Sequence, residues 1–195
     1  MLVDFDYTIA ASKIASQTRM IGDELMRFMM RSPLLAEYET GLMTSDRFYQ
    51  EVCAATGFCG SLDEFGCFFG DIFTPIEPMV ELHSALRHRG MPTYIFSNTN
   101  DLAIRHIRRV FPFFANFDGY VLSYEHRALK PDARLYEVVE RQTGRRGADL
   151  LYLDDRPENV AAGAARGWQA IVHETPEISR AAVEKLVGRL ETVKR

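Results

Sequence analysis

The sequence predicts an α/β fold, a doubly wound parallel sheet with a helical unit inserted after the first strand. Beyond residue 76, short apolar strands alternate with amphipathic helices, which is typical of a parallel sheet covered on both faces. Before residue 75, apolar side chains recur at the three- and four-residue spacing of helices. The 195 residues therefore divide into a helical unit, 7–75, and an α/β core formed by 76–195 together with 1–6.

The helical unit carries one clear helix start and an aromatic stripe. Ser61 and Glu64 have the spacing of a capping box, which opens a helix. Cys67 lies within that helix and is expected to pack as a small hydrophobe. The helical spacing of the apolar residues in this segment predicts a bundle core made of Phe65, Phe68, Phe69, Ile72 and Phe73. An alternative interpretation builds an adaptable pocket wall from the methionines Met26, Met29, Met30 and Met43.

The core alternates strands and helices in a regular order. Thr175 and Pro176 have the pattern of an N-cap and a first-turn proline before the last helix. A further amphipathic helix, closed by Gly167, is expected over 156–167. The predicted strands are 93–96, 120–122, 150–153 and 170–172, and the other predicted helices are 79–89, 102–110, 133–142 and 177–193.

Composition excludes several classes of partner. The net charge is −4 and the lysines and arginines are scattered, so we expect no nucleic-acid partner. No apolar run is long enough to cross a bilayer and no targeting signal is present, so we expect no membrane partner and a cytoplasmic location. Three cysteines without a CxxC spacing argue against a zinc site. A monomer and a homodimer both fit the sequence.

Polar residues follow the first predicted strand of this alternating region, 93–96. Ser97 and Asn98 come directly after an apolar segment, and Thr99, Asn100 and Asp101 continue the polar run into a helix. One of the last three can serve as the helix N-cap. Ser97 lies too early for that role, and a hydroxyl beside helix N-terminal amides is a reasonable cradle for an anion. The sequence therefore predicts an anion site at Ser97 and Asn98.

A lysine precedes the third predicted helix of the core. Pro131 has the character of a first helical residue, which would place Lys130 at the positive end of the helix dipole. A purely structural role would favour an acidic residue there. Lys130 is therefore expected to face an anion.

Two adjacent carboxylates end the third predicted strand. Asp155, with Glu158 three residues later, also fits an N-cap and capping box, so Asp154 is the better candidate for a metal ligand. Carboxylates at a buried strand end are costly unless a cation is bound. Mg²⁺ is the expected ion, because it takes one or two carboxylates together with phosphate oxygens and water.

These three motifs together resemble motifs II, III and IV of the haloacid dehalogenase (HAD) superfamily, and 7–75 resembles its small helical cap on a Rossmann-like core. Within it, the chain is similar to the branch of sugar-phosphate phosphatases such as bacterial α-glucose-1-phosphatase. The resemblance implies that Ser97 and Asn98 bind phosphoryl oxygens and that Lys130 neutralises the nucleophile and the phosphate. It implies that Asp154 binds Mg²⁺ with support from Asp155, and that the substrate is a small phosphorylated metabolite.

The nucleophile of motif I has two possible placements. Asp4-Phe5-Asp6-Tyr7-Thr8 matches Asp-x-Asp-x-Thr, in which Asp4 would attack phosphorus and Asp6 would protonate the leaving group. In the branch that the chain resembles, however, such a segment follows motif I and leads into the cap. Few residues precede Asp4 for a buried strand, so we favour this second placement, with the nucleophile upstream of Met1. A compromise lets residues 2–6 slide into the vacant strand position.

The expected function is therefore a Mg²⁺-dependent phosphatase of the HAD type that acts through an aspartyl-phosphate. Two alternatives stay open. If motif I is absent, the chain is a catalytically impaired binding protein. A metal-independent haloacid dehalogenase is the other alternative, although the pair Asp154–Asp155 has no role in it.

Overall fold

A computed structural model describes residues 2–18, 24, 27–28 and 33–191. Its strands form an antiparallel ribbon and two parallel pairs. The ribbon joins β1 (Val3–Phe5) to β2 (Phe73–Pro75). The parallel pairs join β3 (Tyr94–Ser97) to β4 (Gly119–Leu122) and β5 (Leu151–Asp154) to β6 (Gln169–Val172).

The helices fall into two groups along the chain. The first group is α1 (Tyr7–Ala15), α2 (Pro33–Glu39), α3 (Ser45–Thr56) and α4 (Leu62–Gly70). The second group is α5 (Glu77–His88), α6 (Asp101–Val110), the single-turn α7 (Ser123–His126), α8 (Ala133–Thr143), α9 (Pro157–Ala165) and α10 (Pro176–Val187). Two 3₁₀ turns, Pro112–Ala115 and Gly147–Asp149, precede β4 and β5.

The second group of helices covers both faces of the parallel strands. Tyr152 of β5 packs with Leu135 and Tyr136 of α8 on one face. Its neighbours Leu151 and Leu153 pack on the other face with α5 and α10. Successive strand residues point to opposite faces, so this alternation requires a helical layer on each side. The predicted HAD/Rossmann-like α/β fold is confirmed.

An aromatic cluster holds the first group of helices together. Phe48, Phe65 and Phe69 have no exposed surface, and the Tyr38 ring stacks on Phe48 at 4.4 Å between centroids. The capping box at Ser61 and the predicted core positions of Phe65, Phe68 and Phe69 are therefore confirmed, whereas Phe73 packs against a different cluster, in the α/β core. Cys67 is exposed, so its predicted packing is wrong. Met43 packs in this core, whereas Met26, Met29 and Met30 lie outside the described residues.

The ribbon was not predicted. Phe73 was assigned to the end of a helix, but α4 ends at Gly70 and Phe73 lies in β2. Strands of three residues carry too little periodicity to be recognised in a sequence. The last helix also differs, because α10 ends at Val187, where Gly188 takes a φ of 84°.

Each parallel pair has an edge with no partner strand among the described residues. β3 pairs with β4 and β5 pairs with β6, and no ladder joins β3 to β5. The ribbon lies close to both pairs: Leu2 packs with Leu151 and Leu153, and Val3 packs with Ile95. β1 nevertheless forms its ladder with β2 alone within the described chain.

Candidate active site at the carboxyl edge of the parallel strands

A buried ion pair lies where β3 and β5 end. The Lys130 and Asp154 side chains are 7% and 6% exposed, and Lys130 Nζ lies 2.5 Å from Asp154 Oδ2. The same ammonium donates to the backbone carbonyl of Phe96 in β3 at 2.9 Å. Lys130 therefore connects the two parallel pairs, and its charge is held at the carboxyl edge. Burial lowers the pKa of Lys130, although the facing Asp154 carboxylate opposes this effect.

Asp154 uses both carboxylate oxygens within the protein. Oδ1 accepts from the Arg156 backbone N–H at 3.0 Å and from Asn159 Nδ2 at 2.9 Å. Oδ2 accepts from Lys130 and from the Tyr152 hydroxyl, the latter at 2.7 Å. Burial alone would raise the pKa of Asp154, but the Lys130 charge and these hydrogen bonds outweigh burial and lower it. Asp154 is therefore ionised and has little capacity left for a cation.

Asp155 has the opposite environment. Its side chain is exposed, one residue beyond the strand. The prediction that Asp155 caps the next helix is wrong. The N-cap of α9 is Arg156, no side chain caps this end, and the predicted partner Glu158 pairs with Arg156 at 2.5 Å. Of the two carboxylates, Asp155 is the one that is open to an incoming cation.

Asn98 fixes the loop that carries Lys130. Its Oδ1 accepts from the Lys130 backbone N–H at 2.7 Å, and its Nδ2 donates to the Lys130 carbonyl at 3.1 Å. The predicted helix start at Pro131 is wrong, because α8 begins at Ala133 and its N-cap is Asp132. The side chain of Asn98, rather than a helix end, holds Lys130 in place.

Ser97 ends β3 at the same edge. Its hydroxyl donates at 3.2 Å to the carbonyl of Asn98, a long bond that leaves the oxygen able to bind another group. Asn100 caps α6 by accepting from the Ala103 N–H at 3.0 Å, which agrees with the N-cap predicted in this run. Ser97 therefore stands beside a helix N-terminus.

Residues that sequence reasoning missed complete this edge. Ser123, fully buried at the end of β4, accepts from the Thr99 N–H at 2.8 Å. Its oxygen also lies 2.9 Å from the carbonyl of Thr99 and 2.7 Å from that of Glu39. Tyr7 of α1 lies near the Glu39 side chain, and burial raises the pKa of both groups. None of these residues stands in a recognisable motif, and only the fold brings them together.

A cleft of about 300 Å³ opens beside the ends of β3 and β4. Tyr38 and Ser45 close one side, and their oxygens lie 2.8 Å apart. Ser45 donates to Asp101 Oδ2 at 2.7 Å, and Asp101 pairs with Arg105 at 2.8 Å. The full lining is Tyr38, Gly41, Met43, Thr44, Ser45, Asp46, Asp101, Arg105 and Tyr124. The lining combines hydroxyl and charged side chains with apolar surface from Met43 and two tyrosines.

Asp4 and Asp6 do not lie at the end of a parallel strand. Asp4 is exposed in β1, and its Oδ1 accepts from the adjacent Phe5 N–H at 2.9 Å. Asp6 caps α1 by accepting from the Thr8 hydroxyl at 2.6 Å and from the Thr8 N–H at 2.8 Å, and these bonds lower the pKa of Asp6. Asp6 therefore serves as a helix cap.

The site offers a magnesium ion one open carboxylate. Across the described ranges, no three His, Cys, Asp or Glu side chains cluster as a metal site. Mg²⁺ does not require such a cluster, because it keeps several waters and takes its remaining ligands from one or two carboxylates and a phosphate. Asp155 supplies one open carboxylate, which is compatible with that chemistry.

Comparison with known proteins identifies the family. The haloacid dehalogenase-like hydrolase family matches residues 15–167. The chain belongs to the haloacid dehalogenase-like hydrolases. A curated relative, a sesquiterpene phosphatase from Aspergillus oryzae, is 26% identical over 164 residues, which are 82% of each protein. The chain is accordingly an HAD-like hydrolase with a phosphatase among its relatives.

Solved structures share the fold. A HAD family enzyme from Bacteroides thetaiotaomicron, in complex with magnesium and inorganic phosphate, aligns with a TM-score of 0.76 at 19% identity, over 88% of each chain. An L-2-haloacid dehalogenase from Xanthobacter autotrophicus aligns with a TM-score of 0.59 at 16% identity, over 84% of this chain and 70% of its own.

Proposed function

We propose that this HAD-like hydrolase is a Mg²⁺-dependent phosphatase that acts on a small phosphomonoester. One observation carries the proposal: the buried Lys130–Asp154 pair stands beside the open carboxylate of Asp155 at the carboxyl edge of the strands. In this arrangement Ser97 binds a phosphoryl oxygen, and the charge of Lys130 offsets the anion. A Mg²⁺ ion held by Asp155 would bind phosphate oxygens and offset their charge as well. Asp154 and Asn98 position Lys130.

We infer that the nucleophile comes from a strand between β3 and β5. Two features support this placement. No ladder joins β3 to β5 among the described residues, and the Phe96 carbonyl of β3 accepts from the Lys130 ammonium. A carboxylate at the end of such a strand would lie beside the Lys130 ammonium. It would attack phosphorus to form an aspartyl-phosphate, which water then hydrolyses. The antiparallel position of Asp4 supports its assignment to the connection into the cap of residues 7–75.

A sugar phosphate is the substrate class that we favour. The cleft beside β3 and β4 is lined by the hydroxyls of Thr44 and Ser45 and the charges of Asp46 and Arg105, which suit a hydroxylated leaving group. The relative named as a sesquiterpene phosphatase makes an isoprenoid monophosphate the second candidate. Met43 and two tyrosines in the same cleft give that alternative some apolar surface.

The two other functions make different demands on the site. A binding protein without turnover would hold phosphate at Ser97 and Lys130 but release no product. A haloacid dehalogenase would need no cation, which would leave the exposed Asp155 without a role.

We place the protein in the cytoplasm, as a monomer or homodimer. No helix of the described chain has the length and apolarity needed to cross a membrane.

Phosphate release tests the proposal. Release is measured on sugar phosphates and an isoprenoid monophosphate, with Mg²⁺ or with a chelator, for the protein and for a version extended by any in-frame sequence found upstream of Met1. Asp155→Asn should abolish the Mg²⁺-dependent release. Asp149→Asn, an exposed aspartate at the other end of β5, should leave it unchanged. Absence of turnover on every phosphate in both versions would overturn the phosphatase assignment, and halide release without Mg²⁺ would support the dehalogenase.

A further inference from the structure

The cleft and the proposed phosphate site adjoin the same strand end. Ser97 ends β3, and Asp101, the first residue of α6, lines the cleft. Four residues of chain reach at most about 14 Å, which limits the distance between the two backbones. Thr99, which lies between them, donates its N–H to Ser123, and the next residue, Tyr124, also lines the cleft. A hexose phosphate bound at Ser97 can therefore extend its leaving group toward the cleft.

The groups that close one side of the cleft satisfy one another. Tyr38 accepts from the Leu102 backbone N–H at 3.1 Å, so its hydroxyl proton is free to bond to Ser45, 2.8 Å away. Ser45 in turn donates to Asp101 at 2.7 Å. Asp101 also binds the Arg105 guanidinium through both carboxylate oxygens, at 2.8 and 3.1 Å. These bonds leave little of Ser45 or Asp101 for a bound molecule.

Asp46 is a carboxylate of the cleft without such a partner. It lines the cleft, and its side chain is exposed. The next residue, Arg47, pairs with Glu51 at 3.8 Å, and Arg105 pairs with Asp101. Among the residues that the structure describes, no Lys, Arg or His forms an ion pair with Asp46. Two carboxylates and one guanidinium line the cleft, so it has an excess of negative charge that resides on Asp46.

Tyr124 indicates the same sign of charge around the cleft. Burial raises the pKa of Tyr124 to about 12, and the charges of Glu125 and Asp101 act in the same direction. Tyr124 therefore keeps its proton and contributes a neutral hydroxyl. Thr44, another lining residue, contributes a second one. The groups that remain for a ligand are thus neutral hydroxyls and the Asp46 carboxylate.

A leaving group that carries a positive charge suits this set. An ammonium can donate to the Asp46 carboxylate, and charge-assisted hydrogen bonds are about twice as strong as neutral ones. A carboxylate or a second phosphate would be repelled by Asp46. We propose that Asp46 determines specificity for phosphomonoesters whose leaving group carries an ammonium, as amino sugar phosphates do. The inference rests on the proposed phosphatase function, with the phosphate at Ser97 and the leaving group in the cleft.

The position of Asp46 in its helix provides a matched control. Asp46 is the second residue of α3, where a negative charge interacts favourably with the helix dipole. Asp63 is the second residue of α4 and is equally exposed, but it is not part of this cleft. Removing either charge costs the same interaction with a helix dipole. An effect on ligand charge that is confined to Asp46 is therefore an effect of the cleft.

Binding of three hexose phosphates tests the proposal without any turnover. Glucosamine 6-phosphate carries an ammonium, glucose 6-phosphate has a hydroxyl in its place, and 6-phosphogluconate carries a carboxylate. Calorimetry with Mg²⁺, at a pH that keeps the amine protonated, should show the amine binding about 5-fold or more tightly than glucose 6-phosphate and the carboxylate binding most weakly. Asp46→Asn should reduce the preference for the amine to less than about 2-fold, Asp46→Lys should invert the order, and Asp63→Asn should retain it.

Two results would overturn the inference. One is a wild-type protein that does not bind the amine most tightly, and the other is a preference for the amine that Asp46→Asn leaves unchanged. Inorganic phosphate separates this outcome from a failure of the phosphatase proposal. If inorganic phosphate competes with the hexose phosphates while their affinities are equal, the assignment of Asp46 is wrong and the phosphatase proposal stands. If neither inorganic phosphate nor any hexose phosphate binds, both are wrong.

Discussion

Two carboxylates near the carboxyl edge have contrasting surroundings. Asp154 faces Lys130 and accepts bonds from Tyr152, Asn159 and the backbone, and its pKa is lowered. Glu39 forms no ion pair within the described chain, and burial raises its pKa to about 7. A partly desolvated carboxyl with a full set of partners is stable as an ion. One that lacks them keeps its proton to a higher pH, so the partner set decides the charge that each carboxyl carries near neutral pH.

Removal of the Lys130 ammonium that faces Asp154 should have the largest effect on stability. Lys130→Met leaves the Asp154 charge buried and unpaired, which we expect to lower the free energy of unfolding by about 3–5 kcal/mol. Urea denaturation measures this loss. Lys13→Met is the matched control, because Lys13 pairs with Asp71 at the surface. That change should cost no more than about 1 kcal/mol. If both variants lost the same free energy of unfolding, burial would not explain a difference between the two ion pairs.

The Glu39 carboxyl should make the free energy of unfolding depend on pH. The folded pKa of Glu39 lies near 7 and its unfolded value near 4.5, so the folded state binds the extra proton between these values. Its contribution to stability is therefore present below pH 4.5 and is lost as pH rises through 7. Glu39→Gln should remove this loss and gain at most about 3 kcal/mol relative to the wild type at pH 8.

Denaturation of both proteins at pH 5 and pH 8 checks the prediction. The difference between them should be small at pH 5 and larger at pH 8. A difference that does not depend on pH would contradict the raised pKa of Glu39. Glu37→Gln, a change on the exposed part of the same helix, provides the baseline.

A single hydrogen bond to Asp154 should have the smallest of the three effects. Tyr152→Phe removes the 2.7 Å bond to Oδ2 and should cost about 2 kcal/mol, because the acceptor is charged. Tyr136→Phe removes a 2.8 Å bond to the neutral carbonyl of Asn159 and should cost about 1 kcal/mol. Thermal or urea unfolding of the two variants compares them directly. A larger loss of stability for Tyr136→Phe would show that ring packing, not the charge of Asp154, determines the effect of these substitutions.

The motifs of the core could be predicted because each stands on one continuous strand–loop segment. Ser97, Lys130 and Asp154 were identified from such segments, and the structure brings Lys130 and Asp154 together. The different environments of Asp154 and Asp155 could not be predicted. They depend on Tyr152, which reaches Asp154 from the same face of the strand, and on Asn159 from the next helix.

The features that were missed share one cause. Glu39, Tyr7 and Ser123 meet through contacts between segments far apart in the chain, and local patterns carry no information about such contacts. The helix start at Pro131 was wrong for a related reason. The Lys130 backbone is bonded to Asn98, more than thirty residues earlier, and this tertiary bond holds the loop before α8 begins.

The Ser123 hydroxyl has a mechanical consequence. It binds the end of α2 and the Thr99 backbone at once, and a second link runs from Tyr38 to the Leu102 N–H at 3.1 Å. The α2 end is thus pinned to the core on the side of β3 and β4. If the helices swing away to admit a molecule, this side is the pivot, and the gap opens widest on the side away from β3 and β4.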